Sequence, residues 1–221
     1  MHFISYYYDK NPSESTYYST CAANLAKQLS SYGYEYSFDY INFDKEGLDS
    51  SYLKLNMIKP SFILKKIKEL NTGVIWIDAD CSIVKPITEF KNLPNDFDLA
   101  YGIREHDNIN PHAAVLYFNK TENSIKFLQE WETLNNIKVK DPNYDCSEHC
   151  TLIDLLRENP ESSIRKTNIP LNIKSFKDII RADYLGNAKL KQYYNSVKIW
   201  IGISPAAFEY TKQQEQNRKQ I

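Results

Sequence analysis

Val74-Ile75-Trp76-Ile77-Asp78-Ala79-Asp80 is the run from which the fold of this 221-residue chain is read. Four consecutive apolar residues, rich in β-branched and aromatic types, predict a short strand buried on both faces. The run stops on two carboxylates one residue apart. Ligands of open α/β sheets bind beyond the carboxyl ends of the strands. Two acidic side chains at that place can hold a hard divalent cation, and the cation can hold a phosphate.

Outward from this run, the pattern alternates. His2 to Tyr8 reads as a first strand, followed by a helix capped by Ser13 or Ser15 and stopped at Gly33. Tyr34 to Phe43 reads as a strand of period two, and a polar loop follows it. A helix begins near Pro60 and runs through Leu70, with Ile63, Leu64 and Ile67 turned inward. Past the aspartates, Ile83 to Phe90 contains Pro86 and reads as an edge excursion. Asp98 to Glu105 and Ala113 to Asn119 are expected strands, and Thr121 and Ser147 are expected caps of helices reaching Leu134 and Arg157. The last third is less regular, with strand-like runs at Ile164 to Phe176 and Val197 to Ser204 and a polar tail from Lys212. Strand and helix alternating in the first half predict a parallel core, and the later hairpin-like strands make the sheet mixed. The expectation is one α/β domain over 1–221. Within it, about 1–110 forms a nucleotide-binding half and about 111–211 an acceptor-side half, before the tail at 212–221.

Composition narrows the function classes. A net charge of −1 gives no basic surface for nucleic acid. No apolar run reaches the length of a membrane span, and the N-terminus has neither the basic nor the apolar region of a signal peptide. Cys21, Cys81, Cys146 and Cys150 contain no CxxC pair and are expected as free thiols in a reducing compartment, hence a cytoplasmic protein. Cys146, Cys150, His149 and Asp145 fit no common zinc spacing. The 17 tyrosines suit stacking on bases or sugars, although most serve packing.

Asp78-Ala79-Asp80 resembles the DxD motif of nucleotide-sugar glycosyltransferases of the GT-A fold. Further segments follow the family's order: Lys59-Pro60-Ser61-Phe62 before the strand, Ala113-Ala114-Val115-Leu116-Tyr117-Phe118-Asn119 after it, Phe127-Leu128-Gln129-Glu130-Trp131, and Glu148-His149-Cys150-Thr151-Leu152. Together they cover about residues 2 to 157, and they also resemble small viral and bacterial glycosyltransferase domains such as those of chlorella viruses. A second Asp-x-Asp, Asp96-Phe97-Asp98, follows Pro94-Asn95 in what reads as a loop and shows how easily the pattern arises by chance.

The resemblance implies a transferase that moves a sugar, as a hexosyl or deoxyhexosyl group, from a nucleotide-diphosphate donor to a carbohydrate or other hydroxyl acceptor. UDP is favoured by family habit. It implies Mn²⁺ or Mg²⁺ on Asp78 and Asp80, with Asp80 the direct ligand and Asp78 reaching through water or the donor ribose. Tyr6, Tyr7, Tyr8 and Asp9 lie where the family places uracil. Lys59 and Arg104 are the cations expected near the pyrophosphate, and small Ala113 and Ala114 would let backbone approach the sugar. Glu148 is the candidate catalytic carboxylate, with Asp107, Glu105 and His112 as weaker alternatives. The chain's histidines are His2, His106, His112 and His149, so the C-terminal histidine that many members use as a third metal ligand is missing.

Two other readings compete. Haloacid-dehalogenase phosphatases also place an acidic pair after an apolar strand, and Ser82 nearly completes their Asp-x-Asp-x-Thr. Their later Gly-Asp dipeptide does not occur in this chain. A non-catalytic nucleotide- or carbohydrate-binding module would bind without turnover.

Overall fold

Val74–Ile77 forms the central strand, buried at all four positions. The computed structural model describes residues 2–9, 16–42, 52–83, 85–90, 97–103, 111–141, 143–144, 146–157, 167, 169–176, 180–182 and 199–201. In chain order these form β1 (His2–Tyr7), α1 (Tyr17–Ser31), β2 (Glu35–Tyr40), α2 (Tyr52–Met57), α3 (Lys59–Leu70), β3 (Val74–Ile77) and β4 (Ser82–Ile83). There follow β5 (Leu99–Ile103), β6 (Pro111–Phe118), α4 (Glu122–Lys138), α5 (Glu148–Leu156), β7 (Ile173–Phe176), β8 (Ile180–Ala182) and β9 (Ile199–Ile201).

The main sheet has six strands in the order β2-β1-β3-β6-β5-β7. β1 is parallel to β2 and β3, whereas β6 runs antiparallel to both β3 and β5. It is a single mixed α/β fold, as the alternation predicted. Two apolar cores fill its faces. One gathers Ile4, Ile63, Ile67, Trp76, Phe118, Phe127 and Trp131 under α3, α4 and α5. The other gathers Phe3, Leu25, Leu29, Ile75, Ile77 and Val115 under α1. Successive residues of β3 alternate between the two, which is why the run carries no polar residue until it leaves the sheet.

The helix ends follow the cap chemistry. Thr121 accepts from the Ser124 amide and starts α4, and Ser147 accepts from the His149 amide at the start of α5. At α1 the expected serines Ser13 and Ser15 lie outside the described residues. Asp9 serves the helix start there, accepting from the Tyr18 amide through Oδ1 and from the Ser19 hydroxyl through Oδ2. Gly33 takes φ +70° beyond α1, the left-handed conformation that closes a helix.

Three features depart from the sequence expectation. Part of the expected polar loop after β2 is the short helix α2, whose Leu55 and Met57 are buried. The excursion after the aspartates is a two-residue strand in a second sheet, ordered β4-β9-β8 and fixed by a segment more than a hundred residues later. Cys146 and Cys150, expected as free thiols, are joined as a disulfide, while Cys21 and Cys81 are free and buried. The pair spans the first turn of α5 with Cα atoms 6.1 Å apart, within disulfide reach. No helix among the described residues is long and apolar enough to cross a membrane.

Candidate active site

The chain turns away from the sheet directly after Ile77. The Asp78 amide still donates to Ala114 O at 2.9 Å, and the Cys81 amide donates back to Asp78 O at 2.9 Å, so residues 78–81 form a tight turn. This turn carries Asp78, buried Ala79 and half-buried Asp80 beyond the carboxyl end of β3. The neighbouring strand β6 begins beside it because it runs the other way.

Asp78 is held by two donors on one oxygen. Trp76 Nε1 donates to Oδ1 at 2.7 Å and Lys59 Nζ at 3.0 Å. Lys59, at the first residue of α3, is 2% exposed. Its ammonium also donates to Ala113 O at 3.2 Å and pairs with Glu148 Oε1 at 2.5 Å. It lies 5.0 Å from the centre of the Trp76 ring, a cation–π distance. Burial alone would lower the Lys59 pKa, and the carboxylates of Asp78 and Glu148 outweigh it and raise the pKa above the ordinary lysine value. The lysine is therefore charged in this site at neutral pH.

Glu148, the first residue of α5, is buried. Its backbone oxygen accepts from Trp131 Nε1, and Thr151 Oγ1 bridges Trp131 to Asn135, so α4 fixes where α5 begins. Its Oε2 is buried and has no hydrogen-bond partner among the described residues. Burial raises the Glu148 pKa and outweighs the lowering effect of Lys59. Two imidazoles line the start of β6: the Ala113 amide donates to His149 Nδ1 at 3.4 Å and the Ala114 amide to His112 Nδ1 at 3.3 Å. Their rings meet edge to face at 5.7 Å. Accepting at Nδ1 leaves the proton of each neutral ring on Nε2.

Asp80 carries the clearest electrostatic signature. Burial and then the charge of Asp78 push its carboxyl up to about 6. A carboxyl group whose ionisation is opposed by burial and by a neighbouring carboxylate gains from added positive charge, and the oxygens of the pair suit a hard divalent cation. Asp78 and Asp80 would hold such an ion. Among the described residues no group of three or more His, Cys, Asp and Glu is arranged around a metal position, so the pair stands alone there.

The expected uracil-binding residues separate. Tyr6 points into the core, donating to Leu55 O at 2.8 Å and packed against Phe62 and Trp76. Tyr7 meets Tyr40 of the edge strand β2. Tyr8 is half-buried beyond the strand end and stacks on Tyr18 at 5.5 Å. Asp9 serves α1, and Arg104, Glu105, His106 and Asp107 lie outside the described residues. Asp98 of the second Asp-x-Asp is a buried strut, accepting from Thr121, Asn123 and the Asn172 amide. What sequence reasoning missed is Trp76 as a donor to Asp78. A tryptophan two residues before an acid on a strand shares its face and could have signalled it.

The architecture is similar to that of a glycosyltransferase involved in the glycosylation of the major capsid of PBCV-1. That likeness has TM-score 0.64 at 16% identity, over 93% of this chain and 95% of that one. The chain has the GT-A glycosyltransferase fold. The same GT-A architecture relates it to galactosyltransferase LgtC, solved with donor and acceptor sugar analogues. The TM-score is 0.54 at 12% identity, covering 93% and 88% of the two chains. It also matches part of the bifunctional glycosyltransferase WbbM, with TM-score 0.56 at 8% identity, over 92% of this chain and 45% of that one. No family model and no curated protein sequence matches the chain. At these identities the likeness establishes the GT-A fold, and the chemistry rests on this chain's own residues.

Proposed function

We propose that this chain is a glycosyltransferase that binds a nucleotide-diphosphate sugar, UDP-sugar in preference, through a divalent cation and passes the sugar to a carbohydrate hydroxyl. The observation that carries the reading is the Asp78–Asp80 pair, standing beyond the carboxyl end of the central strand of a GT-A sheet with the Asp80 carboxyl pushed up to about 6. A cation bound there neutralises the charge that the departing diphosphate gains.

The remaining roles follow from placement. Tyr8, just beyond the end of β1 and backed by Tyr18, is the aromatic that can present a face to the base, whereas Tyr6 is committed to the core and Tyr7 meets Tyr40. Ala113 and Ala114 keep their proposed place beside the donor sugar through the backbone of β6, since both side chains are buried in the cores. Glu148 is the carboxylate for the reacting centre. A buried oxygen without a partner among the described residues is one that a substrate hydroxyl, or positive charge developing on the sugar, would satisfy. Arg104 and Asp107 keep their proposed places on the diphosphate and acceptor sides.

Calorimetric titration of UDP with and without Mn²⁺, on the wild type and on Asp80→Ala, tests the reading. Metal-dependent binding lost in the variant is the expected result, to be followed by a UDP-sugar hydrolysis screen. Absence of UDP and GDP binding under both conditions sinks it.

A further inference from the structure

Resemblance places Lys59 facing the donor, yet its surroundings leave it nothing to offer. An ammonium has three donor hydrogens. Lys59 has three acceptors within the fold: Asp78 Oδ1 at 3.0 Å, Ala113 O at 3.2 Å and Glu148 Oε1 at 2.5 Å. These come from the end of β3, the start of β6 and the first residue of α5, while Lys59 itself opens α3. The indole of Trp76 lies beside the ammonium, and the side chain is almost wholly buried.

We propose that Lys59 is an internal positioning residue that touches no part of the donor. It ties four elements together and, with Trp76, occupies Oδ1 of Asp78 so that Oδ2 is the oxygen offered to a cation. The inference rests on the functional reading for the word cation alone; the commitment of the ammonium to three internal acceptors stands without it. Both donors act on the same oxygen, so the carboxylate plane of Asp78 is set before any ligand arrives. Glu148 is fixed by the same ammonium through Oε1, which leaves Oε2 as its remaining acceptor.

Amine footprinting reads the commitment directly. Reductive methylation of the wild-type protein without nucleotide, followed by peptide mass spectrometry, is expected to modify exposed Lys65 and Lys126 and to leave Lys59 unmodified. In Glu148→Gln, which weakens one of the three bonds, the Lys59 labelling rate should rise roughly tenfold, the change that corresponds to losing about 1.4 kcal/mol of local restraint. Labelling of Lys59 in the free wild type at the rate of Lys65, with protection by UDP, would assign the lysine to the diphosphate and overturn the proposal. This wild-type outcome needs no variant to fold.

A second arm separates positioning from contact. Lys59→Met should lose at least about tenfold in Mn²⁺-dependent UDP affinity, because Asp78 is no longer oriented, while its UDP-to-uridine affinity ratio in EDTA stays within about twofold of wild type. A ratio in EDTA that falls tenfold means a direct diphosphate contact. A wild type that binds no UDP removes the glycosyltransferase reading, and the footprint of Lys59 still decides the internal role.

Discussion

Replacing Asp80 by asparagine should make the metal-free protein more stable at neutral pH. Burial and the charge of Asp78 push the Asp80 carboxyl group from an ordinary 3.8 to about 6. In the folded state this group holds its proton more tightly than in the unfolded chain. Between about pH 4 and pH 6 the folded protein therefore carries the extra proton, stability falls as the pH rises, and well above pH 6 the loss is complete. At pH 7 to 8 the cost of ionising Asp80 is on the order of 2–3 kcal/mol. Asparagine keeps the shape and removes that cost. For a chain of this length the gain corresponds to roughly 5–10 °C in Tm. Thermal unfolding of the wild type and Asp80→Asn in EDTA, from pH 4 to pH 8, should show the two curves close at pH 4 and separated at pH 7 to 8. Saturating Mn²⁺ at about a hundred times its Kd should then raise the wild type by about 2.7 kcal/mol and leave the variant unmoved. A wild type as stable as the variant at pH 8 in EDTA would refute the electrostatic argument. Equal stabilisation of both proteins by Mn²⁺ would place the ion elsewhere.

Two further outcomes test the frame and the base platform. A Cβ on Gly73 would lie 3.0 Å from Phe118 O and 3.1 Å from Asn119 Cα, both backbone atoms. Gly73→Ala should cost about 1–3 kcal/mol in urea unfolding, and an unchanged midpoint would show that β3 and the end of β6 can part. Tyr8→Ala should weaken uridine binding by about 1–3 kcal/mol, read by calorimetry, and equal loss in Tyr6→Phe would argue against Tyr8 as the stacking face.

Much of the frame was legible because its signals are local. The period of α3, the uninterrupted apolar run of β3 and the caps Thr121 and Ser147 all depend on residues within a turn or two of each other. The motif's carboxylates were legible for the same reason, since their place at the end of a buried strand is a property of seven residues. Less visible were the interactions that join distant segments. Asp9 reads as a strand-end carboxylate by sequence and serves α1 because the chain returns to it nine residues later. The helix α2 has only Leu55 and Met57 as buried anchors, too few for a periodicity to stand out. The three acceptors of Lys59 come from positions 78, 113 and 148, and no spacing rule links them. Strand alternation requires at least one of Tyr6, Tyr7 and Tyr8 to turn inward, although it does not say which.

The pairing of β4 with β9 has a consequence for how the protein is made. Ser82 pairs with Trp200 and Ile83 with Ile199, so the segment leaving Asp80 acquires its strand partner from a part of the chain synthesised 118 and 116 residues later. Closing so long a loop gives these contacts the high sequence separation that slows folding. On a translating ribosome, β1, β2, α3 and β3 can assemble while the turn bearing the aspartates still lacks this outer tether. Order would therefore reach the centre of the sheet first and the far side of the acidic turn last, which makes the tether the late event in maturation of the site.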